Sequence, residues 1–320
     1  MQTYLDFEKP VADLQGKIQE LKNLAATDQA VSIDEEVSRL QARADEALTD
    51  IYKKLTPWQK IQVARHPQRP HFSDYTKALI TEFVPLAGDR KFAEDAAIQA
   101  GFGRFHGTPV AVIGQEQGST TESRLKHNFG MARPEGYRKA VRVMEMADKF
   151  DLPILCFVDT KGAYPGIGAE ERGQAEAIAR STDKCLQVGV PNLAIVIGEG
   201  GSGGALAIAV ANKVLMLEHA VYAASSPEAG ASILFRDPAK APELAAAQKI
   251  TAADLLSFGV IDGIIAEPVG GAHRHHETVM KATETEIETF LSEFADFSRQ
   301  QLREHRRDKY LKMTTTITPV

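Results

Sequence analysis

Two apolar runs in this chain each end in a glycine-rich stretch that leads into a helical pattern, and that repeat limits the fold more than any other feature. Ile154-Leu-Cys-Phe-Val158 runs into Asp159-Thr-Lys-Gly-Ala-Tyr-Pro-Gly-Ile-Gly168. Leu193-Ala-Ile-Val-Ile197 runs into Gly198-Glu-Gly-Gly-Ser-Gly-Gly-Ala205. Short, wholly apolar runs bounded by turn residues fit strands covered on both faces, as in a parallel sheet flanked by helices. A helix is expected over 169–188 after the first glycine stretch, and a short apolar helix after the second, followed by a strand over 214–217. Upstream, 98–105 and 110–115 read as strands joined by the turn His106-Gly107-Thr108-Pro109, and 135–150 as a helix striped by Val141, Met144 and Ala147. Strand, glycine stretch and helix in repetition define an α/β chain.

The flanks differ in character. Val11, Leu14, Ile18, Leu21 and Leu24 fall on one helical face, and Ile33, Val37, Leu40, Ala44, Leu48, Ile51 and Leu55 on another. Ser32 with Glu35 has the spacing of a capping box that opens the second helix. The two predict an N-terminal helical hairpin. His66-Pro-Gln-Arg-Pro-His71 should run extended and mark a boundary. The expected division is a helical region over 1–80, a core over 81–275, and a C-terminal helix and tail over 276–320. A net charge of −6 argues against nonspecific nucleic-acid binding. No apolar stretch approaches the roughly 20 residues that span a bilayer, and the N-terminus lacks a secretory pattern. Two cysteines cannot build a disulfide framework or a cysteine-only zinc site. A cytoplasmic protein that binds no metal itself is expected.

Chemistry is expected at the glycine stretches, because strand ends that meet helix starts are where an α/β sheet places ligands. Glycines there admit close backbone approach, and a helix start offers unpaired N–H groups suited to a developing oxyanion. Other patterns compete. Gly198-x-Gly200-x-x-Gly203 with Glu218 matches a dinucleotide fingerprint, although its helix is short. Gly200-x-Ser202-x-Gly204 with Asp262 and His273 matches a hydrolase elbow and triad order, without the HGGG-type oxyanion segment. No Gly-Lys-Ser/Thr closes a P-loop. His273-Arg-His-His276 has the look of a metal cluster, Arg124, Lys126 and His127 of a phosphate contact, and Tyr164 of a proton donor or a ligand stop. Cys156, inside an apolar run, reads as an inert core residue.

Several longer segments carry a resemblance. Leu55-Thr-Pro-Trp-Gln59, Ala64-Arg-His-Pro-Gln-Arg-Pro70, Leu86-Ala-Gly-Asp-Arg90, Asn128-Phe-Gly-Met131 and Pro134-Glu-Gly-Tyr-Arg-Lys-Ala140 occur in order. Gly162-Ala-Tyr-Pro-Gly166, Gly168-Ala-Glu-Glu-Arg-Gly-Gln174, the 198–207 segment and Glu267-Pro-Val-Gly-Gly-Ala-His-Arg274 follow. Together they resemble the α subunits of bacterial-type acetyl-CoA carboxylase carboxyltransferase, from the N-terminal helices to about Arg274. The resemblance implies a crotonase-like spiral of repeated ββα units. It implies transfer of a carboxyl group from carboxybiotin, on a biotin carboxyl carrier protein, to acetyl-CoA, giving malonyl-CoA in the committed step of fatty-acid synthesis. It also implies an α2β2 assembly with a β subunit that carries the zinc, working alongside biotin carboxylase. By the same resemblance the amides of Gly203, Gly204 and Ala205 would meet the carboxybiotin carbonyl. Gly162, Ala163, Tyr164, Gly166, Gly200 and Gly201 would shape the substrate pocket.

Three segments depart from the family's usual pattern: Lys161, where proline is usual, and residues 114–123 and 225–232. These bear on acyl-CoA affinity and on which acyl group is accepted. Three other functions fit the same residues: a noncatalytic scaffold that docks a β-like subunit, a carboxyltransferase for another acyl-CoA, or a stand-alone acyl-CoA enzyme using Glu199.

Overall fold

The computed structural model describes residues 3–27 and 33–313. Its helices are α1 (Lys9–Thr27), α2 (Asp34–Tyr52), α3 (Pro57–Ala64), α4 (Phe72–Leu79), α5 (Thr121–Lys126), α6 (Pro134–Lys149), α7 (Ile167–Glu171), α8 (Gln174–Gln187), α9 (Ser202–Ala209), α10 (Pro227–Phe235), α11 (Ala241–Ala247), α12 (Ala252–Ser257), α13 (His276–Glu293) and α14 (Arg299–Lys312). Its strands are β1 (Thr81–Pro85), β2 (Ile98–Phe105), β3 (Thr108–Gln115), β4 (Ile154–Thr160), β5 (Asn192–Gly201), β6 (Lys213–Leu217), β7 (Val221–Ala223) and β8 (Gly263–Ile265).

The strands form one sheet in the order β1-β2-β3-β4-β5-β6-β8. β1, β2 and β3 pair antiparallel, and from β3 onward every pairing is parallel. The β2–β3 hairpin closes through His106 and Gly107, both at positive φ (46° and 81°), which suits the twist of a tight hairpin. β4 and β5 are buried along their whole length, as their apolar runs require. β5 changes neighbour midway: Leu193–Val196 pair with β6, and Glu199–Gly201 pair with β7. The main core packs this sheet against α4, α6, α8, α9, α13 and α14, with Tyr75, Tyr137, Phe157 and Phe290 among its largest members.

Four expectations need correction. The second glycine stretch is not a loop, because β5 runs on to Gly201 and α9 begins at the next residue. The helix expected over 169–188 is two helices, broken where Gly173 takes a φ of +80°. The single C-terminal helix is also two, since Ser298 starts α14 by accepting a hydrogen bond from Gln301 N. The 66–71 segment turns rather than extends: Arg69 N donates to His66 O (3.0 Å), and His66, Arg69 and His71 are buried.

The N-terminal hairpin is present, α1 packing on α2 with Val11, Ile18, Leu40 and Ala44 buried, although Leu24 is exposed. Ser32 lies outside the described residues. Buried Glu8 accepts from Tyr52 Oη (2.9 Å) and Arg274 Nη2 (2.8 Å), which ties the hairpin's base to the body. Deeper in, the Arg69 guanidinium grips Glu267 through two hydrogen bonds (2.9 and 2.6 Å) and donates to Ile197 O (2.7 Å). Burial alone would push the Glu267 carboxyl up, but Arg69's charge and hydrogen bonds pull it down to about 2. No described helix is long and apolar enough to cross a membrane.

Candidate active site

The junction of β5 and α9 is built by close backbone approach. A Cβ on Gly201 would lie 2.2 Å from Lys161 O, and one on Gly204 would lie 2.6 Å from both Ala163 N and Gly162 C. Only glycines let α9 begin this close to the 161–163 turn, where Gly162 itself sits at a φ of +147°. Thr160 Oγ1 locks that turn, donating to Gly162 O (2.8 Å) and accepting from Gly162 N (3.1 Å). Buried Gln115 then couples the two segments, accepting from Asp159 N (3.0 Å) and donating to Gly204 O (2.8 Å). The cap of α9 is Gly201, which brings no side chain to the amides of the first turn. Those amides carry the positive end of the helix dipole.

A cleft of 610 Å³ opens over this junction, lined by Lys161, Gly162, Ala163, Ser202 and Gly203, and also by Arg65 and Glu228. Arg65, the residue that ends α3, donates to both oxygens of Glu199 (2.9 and 2.6 Å) and to Glu228 (2.5 and 3.4 Å). Burial opposes the Arg65 cation, but Glu199 and Glu228 outweigh it and raise its proton affinity. Burial likewise opposes the Glu228 carboxylate, and the bond from Arg65 overrides it and lowers its pKa. Glu199 is therefore clamped as an orienting group rather than presented as an acid or base. A second, largely apolar cleft of 710 Å³ shares Ser202 and Gly203 and runs along α9 past Leu206, Tyr222 and Ile250.

Of the residues expected at the site, Gly162, Ala163 and Gly203 line the first cleft. Gly204 and Ala205 are buried just behind, in the first turn of α9, and Gly200 and Gly201 are buried in β5. Tyr164 is half-buried, its ring held in place: Arg133 lies over it at 4.8 Å, and Gly166 packs on it so closely that a Cβ would come within 2.2 Å. Sequence reasoning missed Arg65, Glu228 and Gln115, although Arg65 lies within a quoted motif.

The competing patterns dissolve. Among the described residues no hydrogen bond joins Ser202 to Asp262 or His273. Asp262 takes Val214 N (2.6 Å) and the Lys309 ammonium, and His273 stacks on His66 at 3.8 Å. Burial first, then neighbouring cations, pushes His273 down to about 2. Glu218 accepts from Glu267 N (3.0 Å) instead of facing a ribose site. His276 meets the Gln68 carbonyl (2.7 Å), and no three His, Cys, Asp or Glu among the described residues are grouped to hold a metal. Arg124 donates to Gly118 O (3.2 Å), and a His127 ring nitrogen lies 2.7 Å from Ala96 O. Cys156 is a core residue whose thiol burial pushes well up.

The architecture is shared with transcarboxylase 12S, which superposes with a TM-score of 0.58 at 19% identity over 71% of this chain and 42% of that one. The fold is accordingly the crotonase-like α/β class. Residues 4–314 match the family described as acetyl co-enzyme A carboxylase carboxyltransferase-like. The chain is 66% identical to the acetyl-coenzyme A carboxylase carboxyl transferase subunit alpha of Rhodopseudomonas palustris, over 97% of both chains. It is 64% identical to the protein of that name from Rhizobium rhizogenes, over 98% of this chain and 99% of the relative. The chain belongs to the acetyl-CoA carboxylase carboxyltransferase family, on the α-subunit side.

Proposed function

We propose that this chain supplies the carboxybiotin half of a carboxyltransferase site whose acyl-CoA half comes from a β subunit in an α2β2 assembly. The observation that carries this reading is the glycine-capped start of α9, whose Gly203 and Gly204 are held against the 161–163 turn with Gly203 lining the cleft. In the proposed reaction the N–CO2 bond of carboxybiotin breaks and negative charge collects on the ureido oxygen. The Gly203 and Gly204 amides, with Ala205 behind, would stabilise that oxygen. The ureido anion takes the α-proton of the acetyl thioester, and the resulting enolate forms the new C–C bond to CO2, giving malonyl-CoA. No side-chain base is required, which agrees with Glu199 being clamped by Arg65.

The carboxylated biotin would arrive on a biotin carboxyl carrier protein, charged by biotin carboxylase in the cytoplasm. Zinc would belong to the β subunit, since this chain brings only two cysteines, both buried. The test is the reverse reaction, with biotin and malonyl-CoA, for the chain alone and mixed with the β subunit from the same source. Turnover only in the mixture is the expected result. A stable complex without turnover would overturn the reading in favour of a scaffold.

A further inference from the structure

Lys161 is the cleft's unpaired cation among the described residues. Arg65 is held by two carboxylates, Glu228 at the cleft and buried Glu199 behind it, so its own positive charge is more than cancelled. Lys161 lines the same cleft, with Gly162 and Gly203. Among the described residues nothing hydrogen-bonds or ion-pairs with its ammonium, whereas the cleft's other cation is doubly engaged. Its backbone is fixed by the approach of Gly201 to its carbonyl, so the side chain springs from a set point at the cleft wall. A substrate carrying a carboxylate would find in Lys161 the cleft cation, among the described residues, that no carboxylate already holds.

We infer that Lys161 binds the carboxylate that is transferred, and so selects the carboxylated form of each substrate. This rests on the carboxyltransferase reading above. The group is shared by donor and product, carboxybiotin in one direction and malonyl-CoA in the other, and both lose it as neutral CO2 in the reaction. An ion pair to the carboxylate is therefore strongest in the ground state and weakens toward the transition state. Its removal raises KM without lowering kcat.

The experiment compares wild type, Lys161→Met and Lys161→Arg, each assembled with the β subunit, in both directions. For Lys161→Met the KM for carboxybiotin and for malonyl-CoA should each rise about tenfold, with those for acetyl-CoA and biotin unmoved. Lys161→Arg should restore most of the difference. The KM of the wild type for malonyl-CoA should climb with ionic strength more steeply than that of Lys161→Met. Equal rises for malonyl-CoA and acetyl-CoA would overturn the inference, because both carry the same CoA phosphates. Unchanged constants in an active Lys161→Met complex would overturn it too, leaving the function intact. A wild-type complex without turnover would instead remove the functional reading beneath it.

Discussion

Gly203 and Gly204 are neighbours in one helical turn, yet the structure assigns them opposite tolerances. A Cβ at Gly203 meets only the Ile178 side chain, Cγ2 at 3.4 Å and Cδ1 at 3.9 Å, which is ordinary contact with a side chain that can adjust. At Gly204 the same atom would stand 2.6 Å from Ala163 N and Gly162 C and 3.0 Å from Gly162 O, all backbone. To reach ordinary contact, the start of α9 and the 161–163 turn must separate by about 0.8 Å, in an interior too dense to absorb it silently. Gln115 bonds to Gly204 O, so that coupling stretches as well. Overpacking of this kind costs about 1–3 kcal/mol. A donor displaced by most of an ångström no longer holds an oxyanion at hydrogen-bond distance, and losing one such donor costs roughly 10²–10³ in kcat. Gly204→Ala should therefore lower the thermal midpoint and reduce kcat of the reverse reaction by about a hundredfold. Gly203→Ala should keep wild-type stability to within about 0.5 kcal/mol. Scanning calorimetry and steady-state kinetics on the β-subunit complexes measure both. Wild-type kcat in Gly204→Ala would refute the assignment of these amides to the reacting oxygen.

Glu267→Gln leaves the buried Arg69 cation without its counter-ion and should destabilise the chain by roughly 3–5 kcal/mol, read as a fall in the denaturation midpoint. The native Glu267 carboxyl is held near 2 against an ordinary 4.5, so its contribution is complete above about pH 4.5 and is lost as pH falls toward 2. The wild type should thus lose stability across that window, and Glu267→Gln should lose less there. Tyr164→Phe keeps the ring on which Arg133 and Gly166 pack, so it should retain kcat within about threefold. A larger loss would assign the hydroxyl a part in the reaction.

Much of the frame was legible because it is locally encoded. β2, β4 and α6 lie within two residues of the runs that announced them, since each apolar pattern matches the period of its element. The end of β5 was not legible. Gly198–Gly201 carries no strand propensity, and those residues are extended because Glu199–Gly201 pair with β7 and Gly201 abuts Lys161. The site was legible in part for the same reason. Repeated glycines announced close approach, whereas the Arg65 clamp joins residues 134 and 163 positions apart and leaves no periodic trace.

Arg69 also sets an order on biosynthesis. Its carboxylate partner lies 198 residues downstream. At about 5–20 residues per second, the ribosome delivers Glu267 roughly 10–40 s after Arg69. During that interval the 66–71 turn cannot seat in the core without burying a lone guanidinium, so β5 waits without the contact at Ile197 O. The 66–71 turn thus depends on a residue made almost at the end of the core, alongside the sheet's last strand β8.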